Sequence, residues 1–142
     1  MRLEWVPAGA NDLEFARTLT RRAMMPYYMH NDLLWRDGDF DTGWSWRDNR
    51  LVRSDEETVG FISLSSDARA LYVREFHLLE AARGKGYGGT VLEWVQALAR
   101  ERRLPAVRLT VFKENPAQAL YGRKGFEIVG EDDCFWRMEW RS

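Results

Sequence analysis

The sequence predicts a mixed α/β domain built on a largely antiparallel sheet of six to seven strands. Three observations predict it. A strand-like apolar run (residues 71–79) enters a glycine-rich turn, and an amphipathic helix pattern (residues 90–103) leaves it. Before that turn lie short runs rich in β-branched and aromatic residues, separated by charged turns, which is the signature of hairpins. After the helix comes a second apolar run, Ala106 to Phe112, and a strand, helix, strand unit closes as a right-handed parallel crossover.

The elements follow in order. Residues 2–6 alternate as a first strand, ended by Pro7 and Gly9. Asn11 or Asp12 supplies the cap of the next helix, because a side-chain oxygen there accepts the orphan amides of a first turn. That helix pairs Leu13 with Ala16 and Phe15 with Leu19, continues to Ala23 and Met24, and is interrupted at Pro26. Residues 27–46 mix aromatics and methionine with Asp32, Asp37, Asp39 and Asp41, which predicts a short helix and a mobile loop. Residues 49–54 and 58–65 form a hairpin around Asp55-Glu56-Glu57, and a turn at Ser66-Asp67 leads into the strand at 71–79. Beyond Phe112, Asn115 and Pro116 open a short helix that Gly125 ends. Residues 126–130 and 134–140 close the chain as a hairpin around Glu131-Asp132-Asp133.

The bulk numbers narrow the function. A chain of 142 residues suits one domain, spanning residues 1–142, large enough to bury roughly two thirds of its unfolded surface. A net charge of −1 with interspersed signs gives no electrostatic case for nucleic acid or an anionic membrane as partner. Met1-Arg2-Leu3-Glu4 lacks the apolar core of a signal peptide and no apolar run reaches the roughly 20 residues of a span, so a soluble, cytoplasmic protein is expected. The single cysteine, Cys134, excludes an intrachain disulfide and a Cys-based zinc cluster; it sits in an apolar run and reads as packing, and no metal site is expected. Of the seven tryptophans, Trp5, Trp94, Trp136 and Trp140 fall in periodic segments, whereas Trp35, Trp44 and Trp46 do not.

The chemistry centres on Arg83-Gly84-Lys85-Gly86-Tyr87-Gly88-Gly89. The first turn of a helix leaves about four amides without intrahelical acceptors at the positive end of the dipole. Glycines ahead of it let the backbone approach a bulky anion and adopt positive φ. Gly84, Gly86 and Gly89 also satisfy the dinucleotide spacing G-x-G-x-x-G. That reading fails, because Glu80, Ala81, Ala82 and Arg83 separate the strand from the first glycine and too little chain remains for a second nucleotide-binding half.

Arg-x-x-Gly-x-Gly on a strand-to-helix turn, here Arg83, Gly86 and Gly88, resembles the acetyl-CoA signature of the GNAT superfamily of N-acetyltransferases. A second stretch, Asn115-x-Ala117-x-Ala119-Leu120-Tyr121-x-x-x-Gly125-Phe126, is similar to the segment that follows the fifth strand of that family. The two lie in the right order, with strand, helix and strand between them, over about two fifths of the chain. The resemblance implies a sheet splayed at the parallel pair, helices on both faces, and acetyl-CoA held in the splay as co-substrate. It implies direct transfer of the acetyl group to an amine in a ternary complex, and no Ser-His-acid or Cys-His arrangement stands out as a covalent competitor.

Residue by residue, the resemblance makes Tyr121 the general acid for the departing thiolate; at helical spacing from Ala117 it also suits simple packing against the sheet. It sets the backbone of Phe76, His77 and Leu78 along the pantetheine arm, with the Leu78 amide on the thioester carbonyl. Arg83, Gly84, Lys85, Gly86, Gly88 and Gly89 face the pyrophosphate. Asn115 is a helix cap and, by resemblance, a contact of the cofactor.

The acceptor amine must lose a proton, since a group with pKa near 10.4 is roughly one part in a few thousand neutral at pH 7. Glu75 is the candidate base, a charge inside a largely apolar strand and on the same face as His77, which is the alternative, directly or through water. Equally, Glu75 suits a salt bridge to Arg74 or Arg108. Tyr27, Tyr28, Trp35 and Trp44, with Phe40 and Trp46, either wall an acceptor pocket whose aspartates draw in a cationic amine or form a satellite core. Small amines, amino acids, drugs and peptide ends all fit. The alternative function is a catalytically idle acyl-CoA-binding module of the same fold. Family members often dimerise, but this sequence names no interface.

Overall fold

The computed structural model of the chain describes residues 2–142. Among them are seven strands and four α-helices. In order these are β1 Leu3–Pro7, α1 Leu13–His30, α2 Asp37–Trp44, β2 Asp48–Ser54, β3 Glu57–Ser66, β4 Leu71–Leu78, α3 Tyr87–Glu101, β5 Ala106–Phe112, α4 Ala117–Arg123, β6 Glu127–Asp132 and β7 Phe135–Arg141. Hydrogen bonding orders the strands β1-β2-β3-β4-β5-β7-β6 in one mixed sheet, with β4 parallel to β5. This is the α/β class that the sequence predicts. No helix of the described residues is long and apolar enough to cross a membrane. The chain divides into two compact units, one made of residues up to Leu64 with Glu75–Arg83, the other of Ser65–Arg74 with Gly84–Ser142.

In the first unit β1 pairs antiparallel with β2, and β2 with β3. The β2–β3 turn places Asp55 and Glu56 at φ 50° and 74°, the two positive angles of a turn whose twist matches that of the strands. Asp55 offsets part of the strain by accepting from the Arg2 amide through Oδ1 and donating its own amide to the Arg2 carbonyl, both at 2.9 Å. The core here is Ala16 and Leu19 of α1, Phe40 of α2, Leu51 of β2 and Phe61 of β3.

Two expectations for α1 are corrected. Neither Asn11 nor Asp12 caps it with a side chain: a 3-10 turn, Ala10–Asp12, leads straight into the helix, and Asp12 Oδ2 instead accepts from the Gly9 amide at 2.7 Å. The chain enters α1 already in helical conformation, so the cap acts one turn earlier. Nor does Pro26 interrupt the helix, which runs on to His30. Proline removes one amide donor and crowds the carbonyl four residues back. Pro26 and Arg22 are both exposed, so this stretch of the helix faces solvent, where a carbonyl without its amide partner costs least. The helix ends with the Asn31 amide and Nδ2 on the Tyr27 carbonyl, at 3.1 and 2.8 Å.

In the second unit, Asp67 builds the turn into β4 by accepting from the amides of Arg69 and Ala70 and from the Tyr72 hydroxyl, at 2.8, 3.0 and 2.9 Å. Leu71 and Tyr72 pair in parallel with Val107 and Arg108. β7 lies antiparallel between β5 and β6. On β5, buried Val107, Leu109 and Val111 alternate with Arg108 and Thr110, as a strand packed on one face requires. The helix after the glycine turn begins at Tyr87, three residues earlier than its apolar pattern suggests, and buries Val91, Leu92, Val95 and Ala99. The last hairpin also turns later than expected, with β6 continuing through Asp132 and Asp133 at φ 27°.

Candidate active site

The glycine turn joins the second unit at Gly84. Gly84 and Gly86 have φ of 75° and 83°, and a Cβ built on either would meet no atom within 4 Å. The requirement for glycine is therefore conformational, and the space beside the backbone is open to a ligand. Gly86 is the residue before the first turn of α3, and its carbonyl accepts from the Thr90 amide at 3.2 Å. Gly88 and Gly89 lie inside that turn and are buried. A Cβ at Gly89 would fall 2.8 Å from Cε of Lys124, the far end of a flexible side chain that can move aside. Lys85 is exposed at the rim.

Lys124 belongs to the end of α4, and three residues of α3 hold it. Gly89 makes room for its side chain, Glu93 ion-pairs with its Nζ, and buried Gln96 donates Nε2 to its carbonyl at 2.7 Å. Residues 89, 93 and 96 share one face of a helix. The helix that opens on the glycine turn is thereby tied to the helix that carries Tyr121.

Tyr121 is 9% exposed and its ring meets Phe126 edge to face at 5.9 Å. Gly125 has φ 88°, the Phe126 amide donates to the Tyr121 carbonyl at 3.0 Å, and the Gly125 amide to Gly122 at 3.1 Å. This is the helix ending in which a left-handed glycine lets two amides fold back on orphan carbonyls, with an apolar contact across it. At the other end of α4, Asn115 lies one residue before the cap, and its Oδ1 accepts from the Ala117 amide, the first of the helix, at 2.9 Å. Pro116 sits at the cap position itself, one residue earlier than expected.

In the first unit, Glu75 and His77 project from the same side of β4, and Glu75 Oε1 lies 2.9 Å from His77 Nε2. The His77 side chain is 9% exposed and that of Glu75 24%. Arg74 donates to Ser65 Oγ at 2.8 Å and stacks over Tyr72, while Arg108 donates to Glu139 at 2.7 Å. Phe76 and Leu78 are half-buried on the alternate positions of the strand. Arg83, exposed, donates Nε to the Leu78 carbonyl at 3.2 Å. Gly60 went unremarked in the sequence: its Cβ would stand 2.3 Å from the His77 carbonyl, so β3 reaches this part of β4 only as glycine. A lone glycine in an apolar strand was the available signal.

His77 is also the end of a chain of rings. It lies 5.8 Å from Phe61, which meets Phe40 at 6.3 Å and Trp44 at 6.0 Å; Phe40 meets Trp35 at 6.1 Å, and Trp35 meets Tyr28 at 5.4 Å. Phe40 and Phe61 are core, whereas Tyr28, Trp35 and Trp44 are half-buried, so the cluster is both a satellite core and an accessible aromatic surface. Tyr27 is half-buried on α1, and Trp46 is 57% exposed. Two of the aspartates among them, Asp37 and Asp41, are engaged. Arg17 holds Asp41 with two bonds of 2.8 and 3.0 Å, and Arg21 holds Asp37 at 2.8 and 2.9 Å. The Trp35 indole donates to Asp37 at 2.7 Å, and with Arg21 it holds that carboxyl below the usual range.

Residues 14–126 match the model of the acetyltransferase (GNAT) family. No curated protein matches the chain in sequence. Among solved structures, the PaiA N-acetyltransferase of Thermoplasma acidophilum, in complex with coenzyme A, superposes with a TM-score of 0.78 at 18% identity over 100% of both chains. The ribosomal-protein-S18-alanine N-acetyltransferase of Escherichia coli gives 0.77 at 16% identity over 99% of this chain and 94% of its own. Naa50 of Arabidopsis thaliana, in complex with the bisubstrate analogue CoA-Ac-MVNAL, gives 0.74 at 16% identity over 98% of each. At these identities the likeness is one of fold.

Proposed function

The chain belongs to the acetyltransferase (GNAT) family, and from that premise we propose that it moves the acetyl group of acetyl-CoA to a primary amine in a ternary complex. The observation that carries the reading is the turn at Gly84 and Gly86, in the left-handed region with open space beside it and a 15-residue helix behind it. Amides at that helix start, with Lys85 and Arg83 at the rim, suit the pyrophosphate of coenzyme A. The backbone of Phe76, His77 and Leu78 lies along the pantetheine arm, the Leu78 amide polarises the thioester carbonyl, and Asn115 adds a contact to its capping bond.

Each proton has a place to go. The ammonium gives one proton to Glu75, with His77 at 2.9 Å to share or relay it. The neutral nitrogen forms the new bond to the acetyl carbon as the carbon–sulfur bond breaks, and Tyr121 protonates the sulfur. The second nitrogen proton returns through solvent to Tyr121, so each turnover releases one proton to water. A phenol with pKa near 10 protonates a thiolate of pKa near 8.5 slightly uphill, which the irreversible loss of the thioester overcomes. Tyr27, Tyr28, Trp35 and Trp44 bind the acceptor.

The test is a titration with acetyl-CoA followed by a free-thiol assay over a panel of amines and peptides. Binding with amine-dependent thiol release that drops about 10²–10⁴-fold in Tyr121→Phe, at unchanged melting temperature, bears the reading out. Binding without release on any acceptor points to an idle acyl-CoA module, and absence of binding sinks the assignment of the glycine turn.

A further inference from the structure

We propose that the acceptor is a monoamine with an aromatic or apolar body, not a polyamine or another polycation. This rests on the acetyl-transfer reading above and narrows the acceptor by its charge and shape.

The argument starts from what surrounds the chain of rings that runs from Tyr28 to His77. Each carboxylate that α2 turns toward α1 already has a cation: Asp37 is held by Arg21 and Trp35, and Asp41 by Arg17, both through paired bonds to the guanidinium. Asp48, just beyond α2, pairs with Arg50 at 2.8 Å. Asp39 is exposed and stands roughly 120° around α2 from the face of Phe40 and Trp44, and Asp32 is exposed in the α1–α2 connection. The two carboxylates that α2 turns toward α1 are thus already paired, while Asp32 and Asp39 face solvent.

At its other end is one carboxylate with a different partner. Glu75 pairs with a histidine, a group that can remain neutral, and its side chain is 24% exposed. One such carboxylate matches one ammonium, the one that must be deprotonated. A second ammonium on the same ligand would lie near Asp37 and Asp41, carboxylates already bonded to guanidinium groups, and the attraction of the ring faces would have to offset its loss of water. An apolar or aromatic body loses nothing there and gains ring contact. The class is therefore set by the pairing of α2 with α1 and by the rings beneath it.

The experiment compares 2-phenylethylamine and tryptamine with putrescine and spermidine, using the full chain at saturating acetyl-CoA with thiol release as readout. The aromatic monoamines are expected to exceed the polyamines in kcat/KM by at least about tenfold. Arg17→Gln, which frees Asp41, should shift that ratio toward spermidine. Trp35→Leu should raise KM for 2-phenylethylamine about tenfold while leaving acetyl-CoA affinity unchanged, a split that mere unfolding does not produce. Preference for spermidine in the unsubstituted protein overturns the proposal and leaves acetyl transfer standing. Acetyl-CoA binding with no release from any of the four amines overturns it as well, whereas failure to bind acetyl-CoA overturns the acetyl-transfer reading and the proposal together.

Discussion

Phe126 donates its amide to the carbonyl of Tyr121 at 3.0 Å, and the rings of the two residues meet at 5.9 Å. The backbone bond and the ring contact close the same short loop from opposite sides. Between them Gly125 must adopt φ 88°, so one glycine fixes the last turn of α4 and the placement of the Tyr121 ring. The family resemblance drawn on Tyr121, Gly125 and Phe126 thus corresponds to a single mechanical device.

Gly125→Ala tests that device. An L side chain at this φ costs about 1–2 kcal/mol, and the new Cβ would come within 3.2 Å of Trp140 Cδ1. A lower melting temperature is expected, with a fall in kcat larger than any change in acetyl-CoA affinity, since the glycine turn at α3 is untouched. Calorimetry and saturation kinetics read the two effects separately. An unchanged kcat in a folded, destabilised variant would show that the helix ending does not position Tyr121.

The joint between α3 and α4 has two polar components of unequal weight. The Lys124 to Glu93 pair is largely exposed on the glutamate side, and such pairs contribute about 0–1 kcal/mol. Gln96 is buried, and its bond to the Lys124 carbonyl would leave an unpaired acceptor if removed, at about 1–3 kcal/mol. Gln96→Leu should therefore destabilise the protein more than Lys124→Met does in chemical denaturation. The reverse order would mean that the ion pair, not the buried amide, holds the two helices.

Much of this was legible because it is local. Strand, turn and helix signals around the glycine turn, the capping bond of Asn115 and the glycine past the end of α4 are each written within a few residues. The strand hairpins followed from charged turns, although Asp55 and Glu56 carry positive φ without the usual asparagine or glycine. What was missed depends on distant partners. Arg17 and Asp41 are 24 residues apart and Arg21 and Asp37 are 16, so nothing local showed that the aspartates were already paired. The same holds for Gly89, whose neighbour is Lys124; Glu75 and His77 share a face by strand alternation, but their hydrogen bond depends on side-chain conformation that the alternation does not specify. Pro26 misled for a related reason: a propensity penalty is a local quantity, and exposure of the freed carbonyl is not.

Gly86→Glu is expected to weaken acetyl-CoA binding by more than about 100-fold. The substitution meets no steric obstacle, since no atom lies within 4 Å of the new Cβ, and a carboxylate at a helix start favours the helix itself. The effect on the ligand comes from placing one anion where another should bind. Gly86→Ala isolates the backbone strain at φ 83° and should weaken binding far less. Equal losses in the two variants, measured by titration calorimetry, would assign the effect to backbone strain and not to charge.

Acid stability should depend on Glu139. Its side chain is 10% exposed and lies between Arg108 Nε at 2.7 Å and Arg141 Nε at 2.9 Å. The hydrogen bond from Arg108 is the largest influence holding its pKa below the ordinary value, with both arginine charges adding to it and burial opposing them. A carboxyl whose folded pKa lies below its unfolded one stabilises the fold fully above the unfolded value, near 4.3, and loses that contribution as pH falls through the folded value. The same bond raises the Arg108 pKa, and it must be counted once. Melting temperature should therefore fall as pH drops below about 4.3, with Asp67, whose carboxyl is lowered chiefly by the Arg69 amide, adding its own loss below about 3.9. Glu139→Gln should lower the melting temperature at pH 7 by on the order of 3 °C and flatten the acid limb, so that the two proteins converge toward pH 2. Parallel curves that stay equally separated down to pH 2 would assign the effect of Glu139 to packing, because a contribution from its charge must vanish once the carboxyl is protonated.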